Sequence, residues 1–222
     1  MKIIIILLFV LANFSVNAQK LTTGFVYLSD VDKTIKSELR YLTNNNFIGK
    51  PIDGYNKNCV IVSLETANAL KNIQQILLKK NLSLKIFDTY RPQQAVDHFV
   101  RWAKNLSDTL MKKQYYPNVP KSQLFNQGYI ASKSGHTRGS TVDLTIVNIK
   151  TEEELDMGNP YDFFGKESHP FYNKITTIQK RNRFFLREIM LENGFTPYDN
   201  EWWHFTLKNE PFPKTYFNFP IE

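Results

Sequence analysis

Residues 134–146 read Ser-Gly-His-Thr-Arg-Gly-Ser-Thr-Val-Asp-Leu-Thr-Ile, a glycine-containing loop that leads directly into an alternating strand. Because successive side chains of a strand point to opposite faces, Val142, Leu144 and Ile146 share one face and Asp143 lies on the other. The apolar face of such a strand packs on a core. This stretch therefore predicts a strand of a sheet that carries a carboxylate close to a histidine-bearing loop.

The loop and the strand together offer two ligands for one metal ion. Gly139 permits the backbone turn that brings His136 back over Asp143. Far downstream, Glu201-Trp202-Trp203-His204 adds a second histidine and a spare carboxylate. Two imidazoles and one carboxylate are the donors of a three-ligand catalytic zinc site. The sequence therefore predicts one zinc ion per chain, bound by His136, Asp143 and His204.

Two further residues have the chemistry that a metallohydrolase needs. Burial beside two tryptophans is expected to raise the pKa of Glu201, which suits a general base. Arg91 is followed by Pro92 and can direct a guanidinium at a developing oxyanion. Simpler alternatives stay open: Glu201 as the cap of a turn, His204 as a core histidine, and Arg91 in a surface ion pair.

The unused histidines and the cysteine are predicted to be structural. The chain contains four histidines and one cysteine, so an internal disulfide is impossible. His98 flanks a helical stripe, and His169 precedes a proline in a loop, where it is a weaker candidate for a metal contact. Cys59 lies in an apolar run and is expected to be a small buried hydrophobe.

Hydrophobic spacing elsewhere predicts the remaining elements. Helices are expected over residues 31–39, 64–80 and 175–193, and the last of these is closed by Gly194. A further helix is expected from Pro92 onward, with a buried stripe that includes Leu106 and Leu110. Strands are expected over residues 82–90, 142–146 and 202–207, with a turn beginning at Phe195. The predicted class is α+β: a single domain in which helices pack on a small antiparallel or mixed sheet, with the zinc site at the sheet edge.

The first eighteen residues have the features of a cleavable signal peptide. Lys2 provides a positive charge, residues 3–12 are apolar, and Val16-Asn17-Ala18 precedes a cut before Gln19. The apolar run is half of the ~20 residues that span a bilayer, so no stable membrane insertion is expected after cleavage. The expected organisation is a signal peptide over 1–18 and an enzyme domain over 19–222, exported to the periplasm or secreted.

The charge of the chain does not indicate a nucleic-acid partner. The formal net charge is +7, but lysines and arginines occur in scattered pairs rather than in a run. A solvated basic surface is the expected interpretation. Aromatic residues make up 14% of the chain, which is compatible with an aromatic-walled pocket.

Several motifs, in one order, resemble those of the zinc-dependent D-alanyl-D-alanine dipeptidases of the VanX type. They are Asp88-Thr89-Tyr90-Arg91-Pro92, Ala95-Val96-Asp97-His98-Phe99, the segment Ser134–Asp143, Leu155-Asp156-Met157-Gly158 and Glu201-Trp202-Trp203-His204. The resemblance extends over most of the chain, from Asp30 to Leu207. It implies the zinc ligands named above, Glu201 as the catalytic base and Arg91 as a transition-state stabiliser.

The resemblance also implies a substrate and a biological role. Ser134, Asp162 and Tyr41 are expected to contact the dipeptide D-Ala-D-Ala, with Asp162 as the candidate for its ammonium group. Members of the family that act in the cytosol remove D-Ala-D-Ala from the cell-wall pathway. Because this chain is predicted to be exported, recycling or scavenging of dipeptide released from peptidoglycan is the favoured role.

Two alternatives remain at this point. One is a D,D- or L,D-carboxypeptidase or endopeptidase of the same superfamily that trims peptidoglycan stem peptides. The other is a non-catalytic module that binds wall peptides. The sequence leaves the oligomeric state open.

Overall fold

The computed structural model describes residues 21–222, so the predicted signal peptide, residues 1–18, lies outside the described part of the chain. The strands in this part are β1 (Phe25–Tyr27), β2 (Lys36–Ser37), β3 (Ile61–Ser63), β4 (Leu82–Asp88), β5 (Thr141–Asn148), β6 (Phe195–Tyr198) and β7 (Glu201–Leu207). The α-helices are α1 (Leu28–Val31), α2 (Leu64–Leu78), α3 (Gln93–Lys104), α4 (Lys112–Tyr115) and α5 (Thr177–Glu192). Among residues 21–222, no helix combines the length and apolarity needed to cross a membrane.

The architecture is an α+β domain, as predicted. Five strands form a sheet in the order β2-β4-β5-β7-β6, and β1 pairs with β3 in a small second sheet. β2 runs parallel to β4, and the other pairings of these strands are antiparallel. Helix α2 packs on β4, and α5 packs on β6 and β7. The result is a mixed sheet with helices packed on it.

Strand β5 is the central strand of the larger sheet, and both of its faces are covered. Val142, Leu144 and Ile146 are fully buried on the predicted apolar face. Asp143 and Thr145, on the second face, are also buried. The alternation of apolar and polar residues therefore identified the strand. The polar side chains on its second face point into the interior of the protein rather than into solvent.

The two longest helices begin and end where their flanking residues favour it. Ser63 caps α2 by accepting a hydrogen bond from the Thr66 amide. Thr176 and Gln179 form a capping box at the start of α5. Gly194 follows α5 with a φ of +88°, a conformation in which glycine carries no steric cost. Both helices match the predicted segments.

The predicted helix over residues 31–39 is wrong. Helix α1 is a single turn that ends at Val31, and β2 occupies Lys36–Ser37. The side chain of Asp32 accepts hydrogen bonds from the amide and the hydroxyl of Thr34, at 2.9 and 2.6 Å. This local turn competes with helical hydrogen bonding and ends the helix.

Two boundaries near other elements are also corrected. Helix α3 ends at Lys104, and Leu106 and Leu110 are 56% and 66% exposed instead of continuing its buried stripe. The cap is Asn105, whose backbone leaves the helical region. Phe195 begins strand β6 rather than a turn, because the turn after α5 is confined to Asn193 and Gly194.

Candidate active site

The register of the sheet places three polar side chains next to one another on neighbouring strands. Asp143 on β5 lies opposite Asp88, the last residue of β4, and also opposite His204 on β7. Directly opposite residues of antiparallel strands have Cβ atoms about 4.5–5.5 Å apart. The pairing of β5 with β7 ends at Asp143 and His204. The predicted position at the sheet edge thus corresponds to the end of this ladder.

His136 reaches the same position from a 3-10 turn over Gly135–Arg138. Ser134 caps the turn by accepting a hydrogen bond from the His136 amide, at 3.3 Å. Gly139 ends the turn with a φ of +83°, and a Cβ atom at this position would collide with the ring of Phe25. The glycine anticipated from the sequence is therefore needed both for the backbone conformation and for space.

The donor atoms of His136, Asp143 and His204 converge and fit a metal ion. One ligand atom from each of them lies within 4.8 Å of the others. His136 Nδ1 donates to the Thr89 carbonyl at 2.7 Å, because a carbonyl can only accept, and this leaves a lone pair on Nε2. That lone pair faces Asp143 Oδ2 at 3.2 Å and His204 Nδ1 at 3.3 Å.

The electrostatics of Asp143 support the same interpretation. Asp143 Oδ1 lies 3.0 Å from His204 Nδ1 but has no partner with hydrogen-bond geometry among the described residues. Burial by itself raises the pKa of Asp143, and His136 and His204 together hold it well below its usual range. A buried, ionised and under-coordinated carboxylate between two imidazoles is a donor set suited to a cation.

Glu201 lies beside the metal-ligand set. It is the first residue of β7, next to a register shift between β6 and β7. A regular strand would place positions 201 and 204 on opposite faces, yet Glu201 Oε2 is 3.5 Å from His204 Nδ1. Burial, with an additional contribution from the charge of Asp143, raises the pKa of Glu201 to about 7. A carboxyl group with this pKa exchanges a proton readily near neutral pH.

Arg91 makes a buried ion pair, not a surface one. Its Nε donates to Asp88 Oδ2 at 2.9 Å, and Nη2 is 2.8 Å from the same oxygen and 3.6 Å from Asp143 Oδ2. The rings of Tyr41 and Phe99 lie 5.2 and 5.1 Å from its Cζ. These contacts fix the guanidinium, which lines the cavity described below.

Asp88 is a site residue to which the sequence interpretation gave no role. Besides binding Arg91, it accepts a hydrogen bond from the hydroxyl of Tyr55 at 2.6 Å. Its Oδ2 is 3.6 Å from His136 Nδ1. A carboxylate at the end of a strand, three residues before the arginine, was the available signal.

A cavity of about 180 Å³ lies in front of the donor set, and the remaining predicted residues line it. Ser134 is half-buried at one wall. Asp162 is 5% exposed, has a φ of +62°, and accepts from the hydroxyl of Tyr41 at 2.9 and 3.2 Å. Burial, with the charge of Asp143 adding to it, raises the pKa of Asp162 well above its usual range. The cavity therefore contains an acidic group that a positively charged ligand would stabilise in its ionised form.

The other two histidines and the cysteine lie outside this cavity. His98 Nδ1 accepts a hydrogen bond from the Asp53 amide at 3.2 Å. The carbonyl of His169 accepts from Arg183, and its ring is not part of the metal-ligand cluster. Cys59 is half-buried, with Sγ 3.7 Å from the Glu222 carbonyl.

Comparison with known proteins identifies relatives along nearly the whole described chain. The family described as Peptidase M15, D-Ala-D-Ala dipeptidase, matches residues 21–222. A D-alanyl-D-alanine dipeptidase of Enterococcus faecium is 39% identical over 90% of this chain and 98% of its own length. One from Enterococcus faecalis is 42% identical over 89% of this chain and 98% of its own length. One from Streptomyces coelicolor is 40% identical over 90% of this chain and 100% of its own length.

Similarity to a solved structure is much weaker. A crystal structure of the vancomycin resistance D,D-pentapeptidase VanY in complex with Zn(II) matches 70% of this chain and 77% of its own. The TM-score is 0.42 and the sequence identity is 13%, values too low to bear on function.

Proposed function

The chain belongs to the D-Ala-D-Ala dipeptidase family of M15 peptidases, and we propose that it hydrolyses D-alanyl-D-alanine with a zinc ion bound by His136, Asp143 and His204. Its relatives make it a hydrolase, and the names of those relatives specify the dipeptide. The observation that carries the proposal is the convergence of three metal donors and Glu201 on one small cavity.

Zinc is proposed because of the donor set. Two imidazole nitrogens and one carboxylate, with a position left for another ligand, are typical of catalytic zinc. A zinc ion bound here supplies Lewis acidity for the attack of water on a peptide carbonyl. The contact between His136 Nδ1 and the Thr89 carbonyl fixes the tautomer in which Nε2 can act as a ligand.

Glu201 is proposed as the general base and then the general acid. Its carboxylate takes a proton from the attacking water and delivers a proton to the leaving amine. Because burial raises its pKa to about 7, both the protonated and the ionised form are accessible near neutral pH.

Arg91 is proposed to stabilise the charge that develops on the carbonyl oxygen. The pairing with Asp88 and the rings of Tyr41 and Phe99 hold its guanidinium in place before substrate binds. A preorganised cation does not have to reorient in the transition state, which is where such groups gain most.

The substrate is proposed to be bound through its ends. Asp162 and Tyr41 form the acceptor for the ammonium group, because a cation beside a buried carboxyl offsets the cost of ionising it. Ser134, which lines the same cavity, is proposed to contribute a further contact. The cavity of about 180 Å³ is smaller than the ~300–1,000 Å³ typical of drug-sized ligands, which favours a dipeptide over a stem peptide.

We further propose an exported enzyme that recycles or scavenges dipeptide released from peptidoglycan. This part rests on the N-terminal sequence, in which residues 1–18 have the composition of a cleavable signal peptide. An enzyme outside the cytoplasm does not reach the cytosolic pool of D-Ala-D-Ala.

The first experiment compares three peptides with purified mature protein in the presence of zinc. D-Ala-D-Ala is expected to be cleaved, whereas L-Ala-L-Ala and an N-acyl-D-Ala-D-Ala peptide are not. The N-acyl peptide lacks the ammonium group that Asp162 is proposed to bind. Protein stripped of metal with a chelator, assayed before and after zinc is restored, is the control for a contaminating peptidase.

The other outcomes identify the rival functions. Cleavage of the N-acyl peptide at a comparable rate would indicate a carboxypeptidase that trims stem peptides. Zinc binding without cleavage of any of the three would leave a wall-peptide binding module as the better description.

A further inference from the structure

The hydroxyl of Tyr161 connects the metal-ligand set to the candidate ammonium acceptor. It lies 3.2 Å from Asp143 Oδ2 and 3.1 Å from the hydroxyl of Tyr41. The hydroxyl of Tyr41 in turn lies 2.9 and 3.2 Å from the two carboxylate oxygens of Asp162. We propose that Tyr161 is a positioning residue that orients Asp143 for the metal and couples it, through Tyr41, to the occupancy of Asp162.

The number of available protons determines the direction of the hydrogen bonds. Each tyrosine hydroxyl has one proton, and Tyr41 directs its own toward the carboxylate of Asp162. Tyr161 can then donate to Asp143 or to the oxygen of Tyr41. The ionised carboxylate of Asp143 is the stronger acceptor, so Tyr161 donates to its Oδ2. Asp143 Oδ1, which has no hydrogen-bond partner among residues 21–222, is left for the metal.

Packing holds the ring of Tyr161 in this position. The residue is 1% exposed. Its ring stacks on Phe87 with centroids 4.6 Å apart, and meets Trp203 edge-on at 5.4 Å. The next residue, Asp162, has a φ of +62°, a backbone conformation that is rare for a residue other than glycine. The contacts with Phe87 and Trp203 therefore hold the hydroxyl of Tyr161 beside Asp143.

A ligand at Asp162 is expected to act on Asp143 through this chain of hydrogen bonds. A cation beside Asp162 stabilises its ionised form, so Tyr41 directs its proton to that carboxylate and keeps an oxygen that can accept from Tyr161. The single proton of Tyr161 is then shared between Tyr41 and Asp143, which alters the strength of its bond to Asp143. By linkage, metal binding affects the affinity for the ligand by the same factor. The coupling rests on the proposed function in one respect, the identification of that ligand as an ammonium group.

The first test measures zinc affinity without any substrate. In Tyr161→Phe, the dissociation constant for zinc, from competition with a chromogenic chelator, is expected to rise roughly tenfold, the lower end of the effect of removing an outer-shell partner. Tyr115→Phe is the matched control, because Tyr115 is equally buried and its hydroxyl bonds Asn45 at 3.1 Å, outside the metal-ligand set. Its zinc affinity is expected to equal that of the wild type, and thermal unfolding shows whether both variants are folded.

The second test measures the coupling itself. Asp162→Asn is made in the wild-type chain and in the Tyr161→Phe background, and zinc affinity is measured for all four proteins. The electrostatic effect of replacing the carboxyl group at position 162 is common to both backgrounds. The chain of hydrogen bonds through Tyr41 adds a second effect only where the Tyr161 hydroxyl is present. The change in the zinc dissociation constant caused by Asp162→Asn is therefore expected to differ by about threefold or more between the two backgrounds.

The outcomes separate this inference from the proposed function. Equal zinc affinity in wild type and Tyr161→Phe, or equal effects of Asp162→Asn in both backgrounds, would overturn the positioning role even if D-Ala-D-Ala is cleaved. If the zinc affinities of the wild type and the variants differ as expected but the wild type cleaves no dipeptide, the coupling through Tyr161 is supported and the substrate assignment fails.

Discussion

The two sides of the cavity are held by different kinds of structure. On the metal side, Asp143 and His204 are fixed by the register of β5 and β7, and His136 by a short turn that β5 follows. On the substrate side, Tyr161 and Asp162 lie in an irregular segment between β5 and α5. Strand pairing thus determines the positions of two of the three candidate metal ligands, whereas Tyr161 and Asp162 depend on side-chain hydrogen bonds to their loop.

Arg183 on α5 is the main anchor of that loop. Its guanidinium donates to the carbonyls of Met157, Glu167 and His169 and to the side chain of Asn159, at 2.6–2.9 Å. Arg183 is 3% exposed, and burial lowers its pKa to about 10. One buried side chain therefore holds both ends of the segment that carries Asp162.

Substitutions on the metal side of the cavity are expected to abolish turnover. The largest fall in kcat is expected for Glu201→Gln. The amide is close in size to the carboxyl but cannot accept the proton of the attacking water. We expect kcat to fall by about 10²–10⁴-fold, the usual contribution of general acid–base catalysis. Bound zinc per chain is expected to be unchanged, because Glu201 is not one of the proposed ligands.

Kinetics and metal analysis of the purified variant test this prediction. Glu188→Gln is the control, since Glu188 is an exposed glutamate on α5. If the rate of Glu201→Gln stays within a few-fold of the wild-type rate, the proton transfer belongs to another group.

Damage to the substrate side is expected to alter binding and stability more than turnover, and Arg183→Met is the sharpest case. Methionine fills part of the space but leaves the buried carbonyls without a donor. We expect the free energy of unfolding to fall by about 3 kcal/mol, because hydrogen bonds from a charged group contribute roughly 1.5–3 kcal/mol. KM for D-Ala-D-Ala is expected to rise more than kcat falls. The change in zinc affinity is expected to be smaller than the change in KM.

Urea unfolding and steady-state kinetics provide the readouts. Arg181→Met, an exposed arginine on the same helix, is the control and is expected to change stability by about 0.5 kcal/mol or less. A loss of kcat with unchanged KM in Arg183→Met would show that the loop serves the catalytic step more than substrate binding.

The same difference explains what the sequence could predict. The candidate metal ligands stand in strand β5, in a turn marked by glycine and in strand β7, so residue type and spacing were enough to propose them. Asp162 and Tyr41 have no such pattern, and they were assigned through the family resemblance alone. Tyr161 and Arg183 were missed, because a single tyrosine or arginine in an irregular or helical segment gives no sign of its long-range partner. The short helix expected over residues 31–39 failed for a related reason, since the side-chain bond from Thr34 to Asp32 ends the helix at Val31.

The smallest expected effect is on stability and comes from the loss of a single hydroxyl group, either in strand β5 or in the loop that carries Asp162. Thr145 on β5 is fully buried, and its Oγ1 has no partner among the described residues. In the loop, Ser168 Oγ donates to the Phe163 carbonyl and accepts from Asn159 Nδ2. Thr145→Val is expected to be neutral or stabilising by up to ~1 kcal/mol, and Ser168→Ala destabilising by ~1 kcal/mol, because only the second change breaks hydrogen bonds.

Thermal or urea unfolding of the two variants measures this difference in sign. Packing around β5 keeps Asp143 in place whether or not the Thr145 hydroxyl is present, so turnover of Thr145→Val should match the wild type. In the loop, each lost hydrogen bond removes part of what positions Asp162. Equal destabilisation by both variants would mean that hydrogen bonds hold the strand side as much as the loop side, and the contrast drawn from the register of β5 would be wrong.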